Sequence, residues 1–300
     1  MNFTAYFCQA MDPLSQSFEK EFLNYKLAVF YSMLYYLVMD LHLFAISVLE
    51  GLTEFLPISS TAHLILASKL FSLDLTTAYI KFYLLFIQLG ALGAGVFIFA
   101  RKIFTDRQLF INICVSFVPS AVVGFVFYKL FKKLLEGNLI LLASMLALGG
   151  LVFIYLEKLF MKRGGVEDAR DFGKREIGVA DAFIVGLAQA VAIIPGVSRS
   201  GATIIAGILR GIKKETIIEY TFILALPTLG AAVLYDAYKS RALLESISSY
   251  QELLLGFGIS FVVAVVTLYF LKKYLSRLSL VFFGWYRIIL AFCVVAFFIV

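Results

Sequence analysis

Long apolar runs separated by short polar segments dominate the chain, and six of these runs are long enough to form membrane-spanning helices. They occupy residues 80–100, 109–128, 138–157, 216–236, 252–271 and 281–300. A helix needs about 20 predominantly apolar residues to cross the hydrocarbon core of a bilayer. The pattern therefore predicts an all-α polytopic membrane protein with six transmembrane helices.

Two further apolar stretches, residues 41–72 and 179–210, are each interrupted in the middle by proline and small polar residues. The first break runs from Pro57 to His63 and the second from Pro195 to Gly201. Each half of such a stretch is too short to span the membrane alone. We therefore expect two re-entrant helical hairpins, because non-helical backbone at membrane depth is tolerated only inside protein or beside a wet cavity.

The two halves of the chain share three sequence anchors at nearly one offset. Pro57 and Pro195 are 138 positions apart, Leu92-Gly93-Ala94 and Leu229-Gly230-Ala231 are 137 apart, and Val122-Val123 with Lys132-Lys133 matches Val262-Val263 with Lys272-Lys273 at 140. Each copy would hold one hairpin and three spans, and an odd number of spans inverts the second copy. The halves, about 41–160 and 179–300, are thus predicted to form an inverted-topology repeat with a site near the membrane midplane.

Composition supports a membrane protein, with 62% hydrophobic residues, 15% charged residues and a mean hydropathy of +0.94. The net charge is +6, but the basic residues form short runs between apolar segments, which argues against a nucleic-acid-binding face.

The basic residues of the loops are unevenly divided between the two predicted sides of the membrane. Fifteen of them fall on one side, namely Arg101, Lys102, Arg107, Lys158, Lys162, Arg163, Arg170, Lys174, Arg175, Arg210, Lys213, Lys214, Lys272, Lys273 and Arg277. Seven fall on the other, namely Lys69, Lys81, Lys129, Lys132, Lys133, Lys239 and Arg241. The positive-inside rule places the first side in the cytoplasm, so the first hairpin would enter from outside and the second from inside.

The first break carries three hydroxyls and one of the two histidines of the chain, and two carboxylates come shortly before it. Glu50 and Glu54 are four residues apart and share a helical face. Two acids at membrane depth are costly and require a compensating cation, proton or base. The hydroxyl residues Ser59, Ser60 and Thr61 could cap the following helix. They could also act beside His63, which is either structural or a base or nucleophile.

The second break combines glycines, hydroxyls and an arginine in a pattern suited to phosphate. Arg199 carries a planar fork that binds phosphate oxygens in pairs. Ser198, Ser200 and Thr203 add hydroxyl groups, and the start of the following helix presents free N–H groups. The alternative is a loop whose arginine only follows the positive-inside rule.

Together, the runs Glu50 to His63 and Pro195 to Thr203 resemble the two signatures of the undecaprenyl pyrophosphate phosphatases, the bacitracin-resistance family. The likeness covers about residues 39–300 and includes the pair Tyr286-Arg287. It departs mildly at Ala62, where many members have glycine. Residues 1–38 precede the usual start of the family, so we expect them to be an extension outside the membrane phosphatase domain, which would begin near Met39.

The resemblance implies hydrolysis of a polyprenyl pyrophosphate to the monophosphate, which recycles the lipid carrier of cell-wall synthesis. It also implies a divalent cation such as Mg²⁺ or Ca²⁺, a multi-pass location in the cell membrane among its lipids, and it leaves a homodimer open. The family's functional residues would be Glu50, Glu54, Ser59, Ser60, Thr61, His63, Ser198, Arg199, Ser200 and Thr203.

Within this set, Glu50 and Glu54 would bind the cation, or one of them would act as a base. The residues of the second break would hold the phosphates. His63 or Ser60 would attack phosphorus or activate water, and direct attack by water is a third alternative. A transporter or flippase of an anionic lipid phosphate is the rival function, because inverted repeats and broken helices are also features of transporters.

Overall fold

The computed structural model describes residues 41–75, 77–127, 138–168, 176–239, 250–274 and 279–298. These residues form ten helices and no strand. The helices are α1 (Leu41–Thr53), α2 (Ser60–Leu70), α3 (Ala78–Thr105), α4 (Arg107–Val126), α5 (Leu139–Asp168), α6 (Val179–Val191), α7 (Arg199–Leu209), α8 (Lys214–Lys239), α9 (Tyr250–Tyr274) and α10 (Leu280–Phe298). The predicted all-α class is confirmed for this part of the chain.

Six of these helices, α3, α4, α5, α8, α9 and α10, are long and apolar enough to cross a membrane. They coincide with the six predicted runs, so the prediction of a multi-pass membrane protein is confirmed. The clearest difference is at α5, which continues to Asp168 although the apolar run ends near residue 157. The helical backbone therefore extends beyond the apolar segment that predicted it.

Both predicted breaks are present as interruptions between short helices. Helix α1 ends at Thr53 and α2 begins at Ser60, while α6 ends at Val191 and α7 begins at Arg199. The two pairs match in length, since α1 and α6 each contain 13 residues and α2 and α7 each contain 11. Proline explains the breaks, because Pro57 and Pro195 lack the N–H that a continuous helix would use.

Long helices surround these short ones, and residues from Phe44 onward belong to one compact unit. Helix α3 packs along α9, α5 packs along α10, and α4 packs along α6. Buried hydroxyl pairs link the helices: Ser47 of α1 with Tyr83 of α3 at 2.7 Å within the first half, and Ser116 of α4 with Tyr220 of α8 at 2.5 Å between the two halves. The serines that end the two interruptions, Ser59 and Ser198, are buried, whereas α6 keeps an exposed apolar face that includes Phe183 and Leu187.

Several predictions concern residues outside the described ranges. These include the extension 1–38 with its proposed boundary at Met39, part of the linker between α5 and α6, and the pair Lys132-Lys133 of the third repeat anchor. They remain predictions.

Candidate active site

Each interrupted segment ends in a serine that precedes the next helix with an unusual backbone conformation. Ser59 before α2 and Ser198 before α7 both have φ of 71°. Residues other than glycine rarely adopt a positive φ, and this conformation persists only where the surrounding structure holds it. The two loops therefore start their helices through the same strained turn, and this turn directs the residues that follow it.

Glu54 and Arg199 bring the two loops together. Arg199 Nη2 donates to Glu54 Oε1 at 3.0 Å, and both side chains are almost fully buried. The second Glu54 oxygen, Oε2, accepts a hydrogen bond from Ser60 Oγ at 2.6 Å. One carboxylate thus binds a guanidinium with one oxygen and a serine hydroxyl with the other, which is the arrangement of a base that is oriented by an arginine and can take the serine proton.

Glu50 lies one helical turn before Glu54 and is completely buried. Neither of its carboxylate oxygens has a hydrogen-bond partner. The Nη1 atom of Arg199 is likewise buried without a partner. An unpaired buried charge or polar group is expensive, so such atoms indicate a site that is completed by a ligand.

The donor set at these atoms fits a divalent cation together with phosphate. Among the described residues, no group of three or more His, Cys, Asp or Glu side chains could hold a metal ion. Glu50 and Glu54 nevertheless supply the one or two carboxylates that Mg²⁺ commonly takes when substrate phosphates complete its coordination. The unpaired Arg199 N–H groups fit the phosphate oxygens of the same ligand.

His63 on α2 uses both of its ring nitrogens. Its Nδ1 atom lies 2.8 Å from the Ser59 carbonyl oxygen, and its Nε2 atom lies 2.7 Å from the hydroxyl of Tyr286 on α10. A carbonyl oxygen can only accept, so Nδ1 carries a hydrogen and Nε2 of the neutral ring is the acceptor. His63 is therefore held between the strained serine and the C-terminal helix.

The model of the family described as "Bacitracin resistance protein BacA" matches residues 43–293, which include every residue of the site described above. The chain belongs to the bacitracin resistance protein BacA family. It is 40% identical over 246 residues to an undecaprenyl-diphosphatase of Campylobacter fetus, a match that covers 82% of this chain and 93% of the relative. Undecaprenyl-diphosphatases of Persephonella marina and Aquifex aeolicus are 42% and 36% identical, over 82% and 85% of this chain and 94% and 96% of theirs.

In this BacA-family chain, the hydroxyls predicted to bind phosphate already have protein partners in the second loop. Ser198 Oγ accepts from the Gly201 N–H at 3.2 Å, and Ser200 Oγ donates to the Leu56 carbonyl at 2.9 Å. Thr203 Oγ1 lies 3.0 Å from the Arg199 carbonyl oxygen and accepts from Thr221 Oγ1 at 2.9 Å. These contacts hold the loop, and Ser200 also ties it to the first loop.

In the first loop, Ser59 makes no side-chain cap to α2, whereas Ser198 caps α7. Thr61 lies next to Ser60 and is partly exposed. The alternative that the three hydroxyls of the first loop serve only as caps is therefore not what the geometry favours, because Ser60 donates to Glu54 instead. Phosphate binding by Ser59 and Thr61 remains a prediction.

Arg287 holds the two loops of the site together, although the sequence analysis did not include it among the functional residues. Its side chain is completely buried, and its N–H groups lie 2.7–3.4 Å from five main-chain carbonyl oxygens. Three of these carbonyls belong to the two loops, at Pro57, Gly196 and Val197. The available signal was a lone arginine within the apolar run 281–300, since a charge at membrane depth usually has a function.

Glycine is required on both sides of this arginine. Gly196 has φ of 93°, and a Cβ atom there would lie 2.7 Å from the Leu142 carbonyl oxygen. A Cβ on Gly149 of α5 would overlap the Arg287 guanidinium. The guanidinium therefore occupies the space beside Gly149, and Gly196 allows the second loop to approach the backbone of α5 closely.

Proposed function

We propose that this protein is an integral membrane phosphatase that hydrolyses undecaprenyl pyrophosphate to the monophosphate and inorganic phosphate. The observation that carries the proposal is the buried cluster in which Glu54 binds both Ser60 and Arg199. A carboxylate poised to take a serine proton serves a reaction, whereas binding alone does not need it. Family membership and the names of the relatives support the same activity.

Ser60 is the proposed nucleophile. Its oxygen would attack the terminal phosphorus of the pyrophosphate while its proton moves to Glu54 Oε2, 2.6 Å away. The bond from phosphorus to the bridging oxygen breaks, and the polyprenyl monophosphate leaves with that oxygen. Glu54 gives its proton to the leaving monophosphate and is again a carboxylate. Water then attacks the phosphoserine while Glu54 takes a proton from it, the bond from phosphorus to Ser60 Oγ breaks, and Glu54 returns the proton to Ser60 as phosphate is released. His63 is a weaker candidate for the attacking group, because both of its ring nitrogens are engaged.

Charge neutralisation is the main requirement of phosphoryl transfer, and Arg199 is placed to supply it. One arm of its guanidinium orients Glu54, and the unpaired Nη1 atom is free to bind a phosphate oxygen. Arg199 is also the first residue of α7, whose leading N–H groups favour an anion. Substrate phosphates would therefore lie between the start of α7 and the two glutamates.

Glu50 and Glu54 are the proposed ligands of a divalent cation, Mg²⁺ or Ca²⁺. Both Glu50 oxygens lack donors, so Glu50 is the more available of the two. Glu54 already holds Arg199 and Ser60, although each of its oxygens retains a second lone pair. When bound, the cation would offset the negative charge of the pyrophosphate.

The two interrupted segments are proposed to be re-entrant hairpins of an inverted-topology repeat. The matched helix lengths and the shared φ of 71° at Ser59 and Ser198 support this reading. So do the hydroxyl pairs of Tyr83 and Tyr220, which are 137 positions apart in the sequence and occupy α3 and α8. Loops entering from opposite sides would meet at the Glu54–Arg199 ion pair near the membrane midplane.

In the cell, we propose that the protein acts in the plasma membrane, where release of the monophosphate would return the lipid carrier to cell-wall synthesis and confer bacitracin resistance. The described site residues all come from one chain.

Phosphate release separates this function from transport of the intact lipid. Purified protein in detergent, supplied with polyprenyl pyrophosphate and Mg²⁺, should release one phosphate per lipid, because no membrane compartment is needed for hydrolysis. Chelation of the cation should suppress the release. A protein that binds the lipid with no phosphate release in detergent, yet moves it between leaflets in vesicles, would be a transporter.

A further inference from the structure

Tyr286 on helix α10 contacts His63, which the sequence analysis considered as a base or nucleophile. Its hydroxyl lies 2.7 Å from His63 Nε2, and the two rings are nearly parallel at 11° with centroids 5.7 Å apart. Because His63 Nδ1–H donates to the Ser59 carbonyl, the Tyr286 hydroxyl is the donor to Nε2. One tautomer of the neutral ring is thereby selected.

His63 also contacts the strained turn of the first loop through the backbone of Ser59. Ser59 has φ of 71°, and its carbonyl oxygen accepts from His63 Nδ1 at 2.8 Å. The next residue is Ser60, whose hydroxyl must point at Glu54. A strained backbone costs of order 1–3 kcal/mol and persists only where contacts hold it. The His63 bond is one of those contacts.

We propose that Tyr286 is a positioning residue that orients Ser60 through His63 and the backbone of Ser59. The proposal rests on the function proposed above and deepens it, since it assigns His63 to orientation instead of to attack or proton transfer. The contacts form one series: the Tyr286 hydroxyl donates to His63, His63 donates to the Ser59 carbonyl, and Ser60 donates to Glu54.

Arg287, the next residue of α10, fixes the helix that carries Tyr286. Its guanidinium binds the carbonyl oxygens of Pro57 in the first loop and of Gly196 and Val197 in the second. Tyr286 is consequently presented to His63 from a helix that is itself held against both loops. A single turn of α10 thus contacts the backbone of both halves of the site.

Nitrogen NMR of the histidine ring tests the contact without requiring turnover. The chain has two histidines, so a His42→Gln background leaves His63 as the only ring observed. With ¹⁵N-histidine, we expect Nδ1 to show the shift of a protonated nitrogen and Nε2 that of an unprotonated acceptor. Tyr286→Phe should keep Nδ1 protonated, because the Ser59 carbonyl still accepts from it, and should move the Nε2 shift to that of a nitrogen that accepts no hydrogen bond. Tyr155→Phe, which changes an exposed tyrosine of α5, should leave both shifts intact. An Nε2–H tautomer in the parent, or no change in Tyr286→Phe, would overturn the proposal.

Kinetics then test whether the contact acts on the reaction. Tyr286→Phe should lower kcat roughly 3- to 10-fold, the effect of one neutral hydrogen bond, with KM little changed. His63→Asn keeps an N–H donor for the Ser59 carbonyl but cannot act as nucleophile or base. It should therefore retain at least about tenfold more activity than His63→Ala. Equal, background activity in His63→Asn and His63→Ala would show that His63 performs the chemistry itself. If the unsubstituted protein releases no phosphate, the proposed function is wrong. The NMR experiment tests the contact between Tyr286 and His63 separately, because it does not require turnover.

Discussion

At the scale of single residues, Glu54 is the group on which the site depends, because its two oxygens bind Arg199 and Ser60 at once. The sequence predicted that the carboxylates, Ser60 and Arg199 would share a site, since a charged pair at membrane depth needs a compensating partner. It could not distinguish Glu50 from Glu54. That distinction depends on which side chain faces Arg199 across 145 residues of sequence.

Arg199→Lys should lower turnover by about 10²–10³, although it retains the positive charge. Lysine is a point charge and cannot hold Glu54 and a phosphate oxygen with one planar fork. The measurement is phosphate release by purified variants at saturating substrate. Arg210→Lys is the matched control, because Arg210 follows the same helix and its ion pair with Asp181 is partly exposed. Near-parental turnover in Arg199→Lys would show that Arg199 only follows the positive-inside rule and does not take part in catalysis.

Glu50→Gln and Glu54→Gln should both reduce turnover severely but for different reasons. Glu50 has free oxygens, so its loss should raise the Mg²⁺ concentration that gives half-maximal rate. Glu54 binds Arg199 and Ser60 and is the proposed acceptor of the Ser60 proton, so its loss should lower the maximal rate even at saturating Mg²⁺. Titrations of rate against Mg²⁺ would show the difference. Full activity in both variants with unaltered metal dependence would remove the carboxylates from the mechanism.

At the scale of elements, the breaks and the spans follow from simple patterns, whereas the role of α10 does not. Pro57 and Pro195 predicted the two interruptions because each stands in a cluster of small polar residues, and six apolar runs predicted which helices are long. Proline alone does not predict an interruption, since Pro119 and Pro227 lie inside α4 and α8. The five acceptors of Arg287 are main-chain carbonyls, and a carbonyl has no signature in the sequence. They come together because α5 packs against α10 and both loops lie beside the same arginine.

Arg287→Lys should destabilise the protein and lower its activity together. A lysine cannot reach both loops, so buried carbonyls lose their donors at about 1–3 kcal/mol for each group left unsatisfied. The melting temperature in detergent should fall, whereas Arg101→Lys, at an exposed position near the end of α3, should not change it. An Arg287→Lys variant that melts with the parent protein would show that the carbonyl contacts do not stabilise the loops.

At the scale of the whole molecule, the charge bias and the offset anchors predict an inverted repeat with a cytoplasmic second hairpin. The structure adds paired helix lengths and the paired strained serines. The sequence alone could suggest the repeat because both halves keep the same proline and small-residue anchors. It could not show that Tyr83 and Tyr220 each bond a serine hydroxyl, or that both serines, Ser47 and Ser116, belong to the first half.

Accessibility to an impermeant thiol reagent tests the orientation. In a background without native cysteines, Glu176→Cys before α6 should be protected in intact cells, and Lys69→Cys at the end of α2 should react. Both positions are exposed, and both should react once the cells are permeabilised. The loop charges make the same prediction for two further segments: residues in 164–170 should be protected in intact cells, and residues in 132–138 should react. Labelling of Glu176→Cys with protection of Lys69→Cys would reverse the orientation.

The most direct measurement compares catalysis with binding in Ser60→Ala. At saturating polyprenyl pyrophosphate and Mg²⁺, phosphate release by this variant should fall by at least about 100-fold, because the attacking oxygen is gone. Its affinity for the lipid should stay within a few-fold of the parent, since Arg199 and the carboxylates remain. Ser68→Ala, which removes a buried and unpaired hydroxyl from the same helix, is the control and should keep parental turnover. Parental turnover in Ser60→Ala would contradict a reaction at Ser60, and lost affinity with unchanged turnover would make the cluster a binding site only.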